Sequence, residues 1–251
     1  MLQITVLNSS MPSTKVLQNK IDCQHCSLFR LCIPRNINKP DLQVLERIII
    51  RHTPANRGKH WFTNGDNFKS IFAVRSGCVK TYRTTRGGAE QICGFHMPGE
   101  LFGLEAIHQN AHTCSAKALQ MSSICEIPFI KLDQLCGTIP YLQSELTKLL
   151  SKEIVNQQWL ITLLGKKSAE ERIAAFLCNL SSRLEHRGYS ANNFNLTMSR
   201  SDMGNYLGLA IETVSRILTR FQNNSLLTIN GKHVQLRRPV DLCQIAGIDY
   251  Q

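Results

Sequence analysis

Three cysteines stand within ten residues, in the segment Cys23-Gln24-His25-Cys26-Ser27-Leu28-Phe29-Arg30-Leu31-Cys32, with the spacing C-x2-C-x5-C. Thiolates this close can wrap one soft metal centre, and soft sulfur ligands favour zinc or an iron–sulfur cluster. A tetrahedral zinc site needs a fourth ligand, which His25 could supply. A [4Fe–4S] cube also needs four, so its last ligand would come from elsewhere in the chain. The spacing leaves iron, zinc and an unmetallated segment open. The chain has ten cysteines. Cys78, Cys93 and Cys178 are isolated among apolar neighbours and read as small core residues. In a reducing compartment none of the ten is expected to form a structural disulfide.

A second constellation runs from Arg200 to Leu218. Gly208 sits between two short helical stretches, where glycine tolerates the positive φ of a tight turn. Gly204 is small where a second helix would cross closely. Met203, Leu207, Leu209, Val214 and Ile217 supply the apolar faces of a helix-turn-helix. Ser199 is the expected N-cap of the first helix. The second helix begins near Ala210 and exposes Glu212, Thr213, Ser215 and Arg216 at its start, the part that enters a major groove. An arginine can donate two hydrogen bonds to guanine, and a glutamate can accept from the cytosine amino group. Between residues 196 and 238 six Lys or Arg face two acids, a local +4 suited to phosphate contacts.

These groups need a scaffold, and the chain divides accordingly. Residues 1–50 hold the cysteines and a short helix over Lys39–Ile50, with residues 1–20 loosely attached. Residues 51–140 read as short strands between glycine-bearing turns (Ser70–Arg75, Val79–Thr84, Gln91–His96 and Ile124–Pro128), the pattern of an antiparallel jelly roll. Residues 141–165 form one long helix. On it Leu150, Ile154, Gln157, Ile161 and Leu164 recur at steps of four and three, an a/d seam for pairing with a second copy. An amphipathic helix lying on its own domain gives the same spacing. Residues 166–251 are helical and then short-stranded. Thr228–Val234 reads as a hairpin turning at Asn230-Gly231, both in positive φ, which makes the helix-turn-helix winged. The fold class is α+β.

The chain has 251 residues, 43% of them hydrophobic, and a formal net charge of +11, which favours polyanionic partners. No apolar run approaches the ~20 residues that cross a bilayer, and Met1–Lys20 lacks the pattern of a secretory signal. A cytoplasmic protein with no membrane partner is expected. There is no nucleophile–base signature, phosphate-binding glycine loop or H-E-x-x-H, so the residues point away from an enzyme.

The whole pattern resembles the fumarate–nitrate reductase regulators (FNR), a branch of the cyclic-AMP receptor protein superfamily. The resemblance rests on Leu31-Cys32-Ile33-Pro34, on Ser123-Ile124-Cys125-Glu126-Ile127-Pro128, on Ala169-Glu170-Glu171-Arg172-Ile173-Ala174-Ala175-Phe176, and on Gly204–Leu209 followed by Glu212-Thr213-Val214-Ser215-Arg216. It runs from about Cys23 to Gly247. It implies a [4Fe–4S] cluster held by Cys23, Cys26, Cys32 and Cys125, degraded by oxygen to [2Fe–2S] and then to apoprotein. It implies that the intact cluster favours a homodimer on double-stranded DNA, with Glu212, Ser215 and Arg216 reading a TTGAT-like half-site of a palindrome. Anaerobic genes would be activated and aerobic ones repressed. RNA polymerase would be met by the turn at Arg86–Ala89 and the loop at Arg187–Ser190. The remaining cysteines match no ligand position. A zinc-stapled or constitutively dimeric regulator without an oxygen switch is the alternative. Cyclic nucleotide is not expected: after Pro98-Gly99-Glu100, the Arg-Ser pair of the nucleotide-binding branch is replaced by Cys114-Ser115, which removes the phosphate's charged partner. One departure is Gln157, where the family's seam commonly carries an aspartate.

Overall fold

The computed structural model describes residues 22–33 and 37–248. The expectations for residues 1–20 and for Pro34 lie outside them. The chain enters through a turn-rich segment holding the three clustered cysteines, then helix α1 (Lys39–Ile48). Asn38 caps α1 by accepting from the Asp41 N–H, Pro40 sits in the first turn, and Leu42 and Leu45 are buried. The helix ends two residues earlier than its apolar spacing implied, because Ile49 turns extended and Ile50 already belongs to a strand.

Eight strands follow: β1 (Ile50–Arg51), β2 (His60–Phe62), β3 (Ser70–Ser76), β4 (Val79–Thr84), β5 (Glu90–His96), β6 (Leu101–Phe102), β7 (Ser115–Ala118) and β8 (Ser123–Pro128). They form two four-stranded sheets, ordered β1-β8-β3-β6 and β2-β7-β4-β5, with every pairing antiparallel. The jelly-roll expectation is met. An aromatic cluster lies inside the roll: Phe62, Phe72 and Phe102 pack with ring centroids 5.3 to 6.0 Å apart, and the ring of buried His112 is 3.6 Å from that of Phe62. Cys114 is buried in the same cluster.

A short helix α2 (Phe129–Thr138), which the sequence pattern did not separate from the roll, leads to α3 (Pro140–Lys166). Pro140 opens α3, where a missing N–H is harmless. At 27 residues α3 is about 40 Å long. The helix buries part of its length in the chain's own cores and leaves part of its apolar spacing exposed. Leu142, Leu160 and Leu163 are buried in the chain's own cores, whereas Ile154 and Ile161 are 60% and 69% exposed. Leu150 and Leu164 are half-buried and Gln157 is exposed, donating to Glu153 Oε1 at 2.7 Å.

The C-terminal part begins with α4 (Ala169–Glu185), closed by a capping box between Ser168 and Glu171. Then come β9 (Asn193–Asn195), α5 (Arg200–Leu207), α6 (Ile211–Asn223), β10 (Leu227–Asn230), β11 (His233–Leu236) and α7 (Pro239–Ala246). The wing is a three-stranded sheet, β10-β11-β9. Its turn is one residue later than expected: Asn230 pairs with His233, so Gly231-Lys232 makes the turn, and only Gly231 has positive φ, at 59°. The expectation that no cysteines pair is corrected. Cys178 of α4 and Cys243 of α7, both buried, form a disulfide. Cys93 is half-buried rather than a core residue, while Cys78 is buried as expected.

Candidate metal centre and nucleic-acid interface

Cys23, Cys26 and Cys32 lie in successive turns, held by Cys26 N–H to Cys23 carbonyl and Cys32 N–H to Leu28 carbonyl bonds of 3.3 and 3.1 Å. The segment covers the outer end of the β1-β8-β3 sheet. Cys125, on the middle strand β8, sits between Arg51 of β1 and Ala73 of β3. All four cysteines line one cavity, together with apolar Phe29, Ile33, Leu45 and Ile127 and with Arg75 at its edge. Among the described residues, no three His, Cys, Asp or Glu side chains converge closely enough to chelate a single ion. The thiols surround a space instead.

Burial dominates the electrostatics of this site. It pushes the Cys23 thiol up to about 11 and the Cys32 thiol to about 12, and it raises Cys125 as well. A thiolate here needs positive charge beside it. Arg51 supplies some: its Nη2 stands 3.6 Å from Cys23 Sγ, and it pairs with Glu46, whose Oε1 also accepts the Cys23 N–H at 3.0 Å. Neither Arg51 nor Glu46 belongs to a sequence motif, so spacing gave no sign of them. His25 does not join the site. Its side chain is 72% exposed and its Nδ1 bonds Asp22 Oδ1 at 2.7 Å. Four sulfur donors in an apolar wall, with a guanidinium at hydrogen-bond range, match the donor chemistry of an iron–sulfur cluster.

In the C-terminal part, α5 and α6 meet as the sequence implied. Ser199 caps α5 in a box with Asp202, and Gly208 ends it at φ 65°. A Cβ on Gly204 would lie 2.6 Å from the Leu209 carbonyl oxygen, so only glycine lets the two helices close. Met203, Leu207, Val214 and Ile217 are buried, and Leu209 half-buried. Ala210 is the N-cap of α6, and the helix starts at Ile211. Glu212 and Arg216 are exposed; Thr213 and Ser215 are half-buried, with Arg200 donating to Ser215 Oγ at 3.3 Å. Lys232 and Arg237 of the wing are exposed, whereas Arg220 is tied to Glu170 and Arg238 to Asp241.

The two loops expected at RNA polymerase differ. The Arg86–Ala89 turn is exposed. Arg187, by contrast, is turned inward. Its side chain is 6% exposed, bonded to the Pro98 carbonyl and paired with Glu100, which Arg183 also engages. The glutamate of Pro98-Gly99-Glu100 is therefore occupied by two arginines of the chain itself.

Residues 54–138 match the family model of the cyclic nucleotide-binding domain, and residues 171–245 that of the Crp-like helix-turn-helix domain. The chain is 48% identical to the transcriptional activator protein Anr of Pseudomonas protegens over 91% of its own length and 94% of that protein's. It is 48% identical to the fumarate and nitrate reduction regulatory protein of Escherichia coli over 90% and 91%, and 45% identical to that of Vibrio cholerae over 96% and 97%. Among solved structures it is similar to FixK2 from Bradyrhizobium japonicum, with a TM-score of 0.73 and 29% identity over 79% of this chain and 97% of that one.

Proposed function

The chain belongs to the FNR branch of the Crp superfamily, DNA-binding transcription regulators rather than enzymes, and from that premise we propose that it is an oxygen-responsive homodimer carrying a [4Fe–4S] cluster on Cys23, Cys26, Cys32 and Cys125. The observation that carries this reading is the shared cavity: Cys125, 93 positions beyond Cys32, lines the same space as the three clustered cysteines. When bound, the cluster supplies the oxygen-labile chemistry. The protein's own residues do the rest. Phe29, Ile33, Leu45 and Ile127 keep water from the sulfurs, and Arg51 holds Cys23 while offsetting negative charge. Ligation ties the N-terminal segment to β8, and β8 runs directly into α2, which packs on α3.

The exposed face of α3, with Ile154 and Ile161, is the surface for a second copy. Two copies place two α6 helices about one DNA turn apart, as a palindrome requires. Arg216 reads guanine, Glu212 the cytosine amino group, and Arg237 and Lys232 meet phosphates. Activation and repression would both follow from where that site lies relative to RNA polymerase, with the exposed Arg86–Ala89 turn as the surface offered to it. Cyclic nucleotide has no role in this account. Cys114 is buried where the phosphate's arginine would stand, and Glu100 is committed to Arg183 and Arg187. Among the described residues no helix is long and apolar enough to cross a membrane; action at the chromosome would put the protein in the cytoplasm.

Cys125→Ser tests the ligand set. The variant purified without oxygen should fold, carry far less iron than the parent chain, and bind the palindrome weakly. A variant with full iron content and unchanged binding would remove Cys125 from the centre.

A further inference from the structure

Strand β5 is the edge of its sheet, so the backbone groups on its outer side need partners other than a strand. Helix α5 of the helix-turn-helix supplies them. The Ile92 N–H donates to Asn205 Oδ1 at 2.6 Å, and Asn205 Nδ2 donates to the Glu90 carbonyl at 2.7 Å. One side-chain amide thus takes the place of a residue in a neighbouring strand. Gln91 Nε2 adds a bond of 2.9 Å to the Asn205 carbonyl. Three residues earlier on α5, Asp202 pairs with Lys80 of β4 at 3.1 Å while its other oxygen holds the Ser199 cap. Tyr206, which follows Asn205, lies against Phe95 of β5 with ring centroids 5.1 Å apart.

These contacts fall on α5, not on the reading face of α6, where Glu212 and Arg216 remain exposed. Yet α5 and α6 cannot move independently, because Gly204 and Leu209 meet at backbone distance and Val214 is buried between them. Whatever fixes α5 fixes α6.

We infer that Asn205 is a positioning residue for DNA recognition: by docking α5 on the open edge of β5 it sets the direction of the recognition helix relative to the β-roll and to α3. The inference rests on the dimeric, palindrome-reading function proposed above. A dimer whose two α6 helices are held at one separation binds two half-sites without first ordering its domains. A dimer with loosely hung motifs loses that advantage and becomes tolerant of wrong spacings.

The test uses the full chain purified without oxygen and two readouts. The first is hydrogen exchange at the Ile92 amide. It should be protected in the parent chain and exchange about tenfold faster or more in Asn205→Ala. The second is affinity for three duplexes: a palindrome of two TTGAT half-sites, the same palindrome lengthened by about half a helical turn, and a single half-site. Asn205→Ala should lose about tenfold of the preference for the correct spacing, with single-site affinity and melting temperature unchanged. Gln91→Ala, which removes only the bond to the Asn205 carbonyl, should move both readouts in the same direction by less; it serves if the first variant does not fold. An unprotected Ile92 amide in the parent chain overturns the docking. Protection lost without any change in spacing preference overturns the positioning role. A parent chain indifferent to spacing refutes the dimeric reading itself, and the role inferred for Asn205 with it, while the exchange data still report whether α5 is docked.

Discussion

Arg51 and Cys125 are direct partners in the ladder of β1 and β8, and the guanidinium of the same arginine stands 3.6 Å from the Cys23 sulfur. One residue thus touches the surroundings of both the first and the last cysteine of the proposed centre. Removing an outer-shell partner of a metal ligand commonly lowers metal retention by about 10- to 100-fold. Arg51→Met keeps the apolar stem and removes the charge. It should release iron to a chelator about tenfold faster than the parent chain, with Arg51→Lys in between. Equal release rates would show that Arg51 serves only its ion pair with Glu46.

Glu100 links the roll to α4 through Arg183 and to the turn after α4 through Arg187. Burial works to raise its pKa, but the two arginines outweigh it and hold the carboxyl at about 2, against an ordinary value of 4.5. A carboxylate depressed on folding contributes stability above its unfolded value and loses it as the pH falls toward the folded one. The parent chain should therefore lose stability between about pH 4.5 and pH 2 through this group. Glu100→Gln should be less stable at pH 7 and show a flatter acid limb when unfolding is followed by circular dichroism. Parallel acid limbs would contradict the linkage.

Gln157 stands exposed in the middle of the open face of α3 and bonds Glu153 of its own helix. A neutral residue there adds no repulsion between two copies. Iron-free parent protein should dimerise in the micromolar range, and Gln157→Asp should weaken that dimer about tenfold or more through facing charges. Sedimentation equilibrium decides. A purely monomeric iron-free parent chain at micromolar concentration contradicts the prediction.

The Cys178–Cys243 disulfide closes a loop spanning 65 positions, which contains the entire helix-turn-helix. In the chain-entropy model, closing such a loop contributes about 4 kcal/mol. Cys178→Ser should lower the stability of the oxidised DNA-binding region by roughly that amount in denaturant titrations. With reductant present the difference should shrink to what burying a serine hydroxyl in place of a thiol costs, about 1–3 kcal/mol. A difference that ignores reductant would assign the effect to packing.

What the sequence made legible was local. Ser199, Gly204 and Gly208 announced the helix-turn-helix because caps and close helix crossings demand particular small or polar residues within one turn. The strands of the roll were visible because their alternation and glycine turns are short-range signals. Contacts across the fold left no such trace. Asn205, Lys80 and Glu100 are ordinary polar residues until β5 and α4 are brought beside them. Cys178 read as a small core residue and Cys243 only as a cysteine outside the ligand set, with nothing to link the two. The three clustered cysteines were evident from spacing, but Cys125 entered only through the resemblance, because nothing within its own strand marks it as different from Cys78 or Cys93. Arg187 shows the same limit: nothing near it in the sequence reveals that its side chain turns inward to a partner 87 positions away.

The most direct test of the oxygen switch is the visible spectrum and iron content of the protein purified without oxygen and then exposed to air. The account predicts a brown protein with about four iron per chain that bleaches in air and loses its affinity for the palindrome in step. A colourless protein holding one zinc per chain, or a brown one whose DNA binding is indifferent to air, would contradict it.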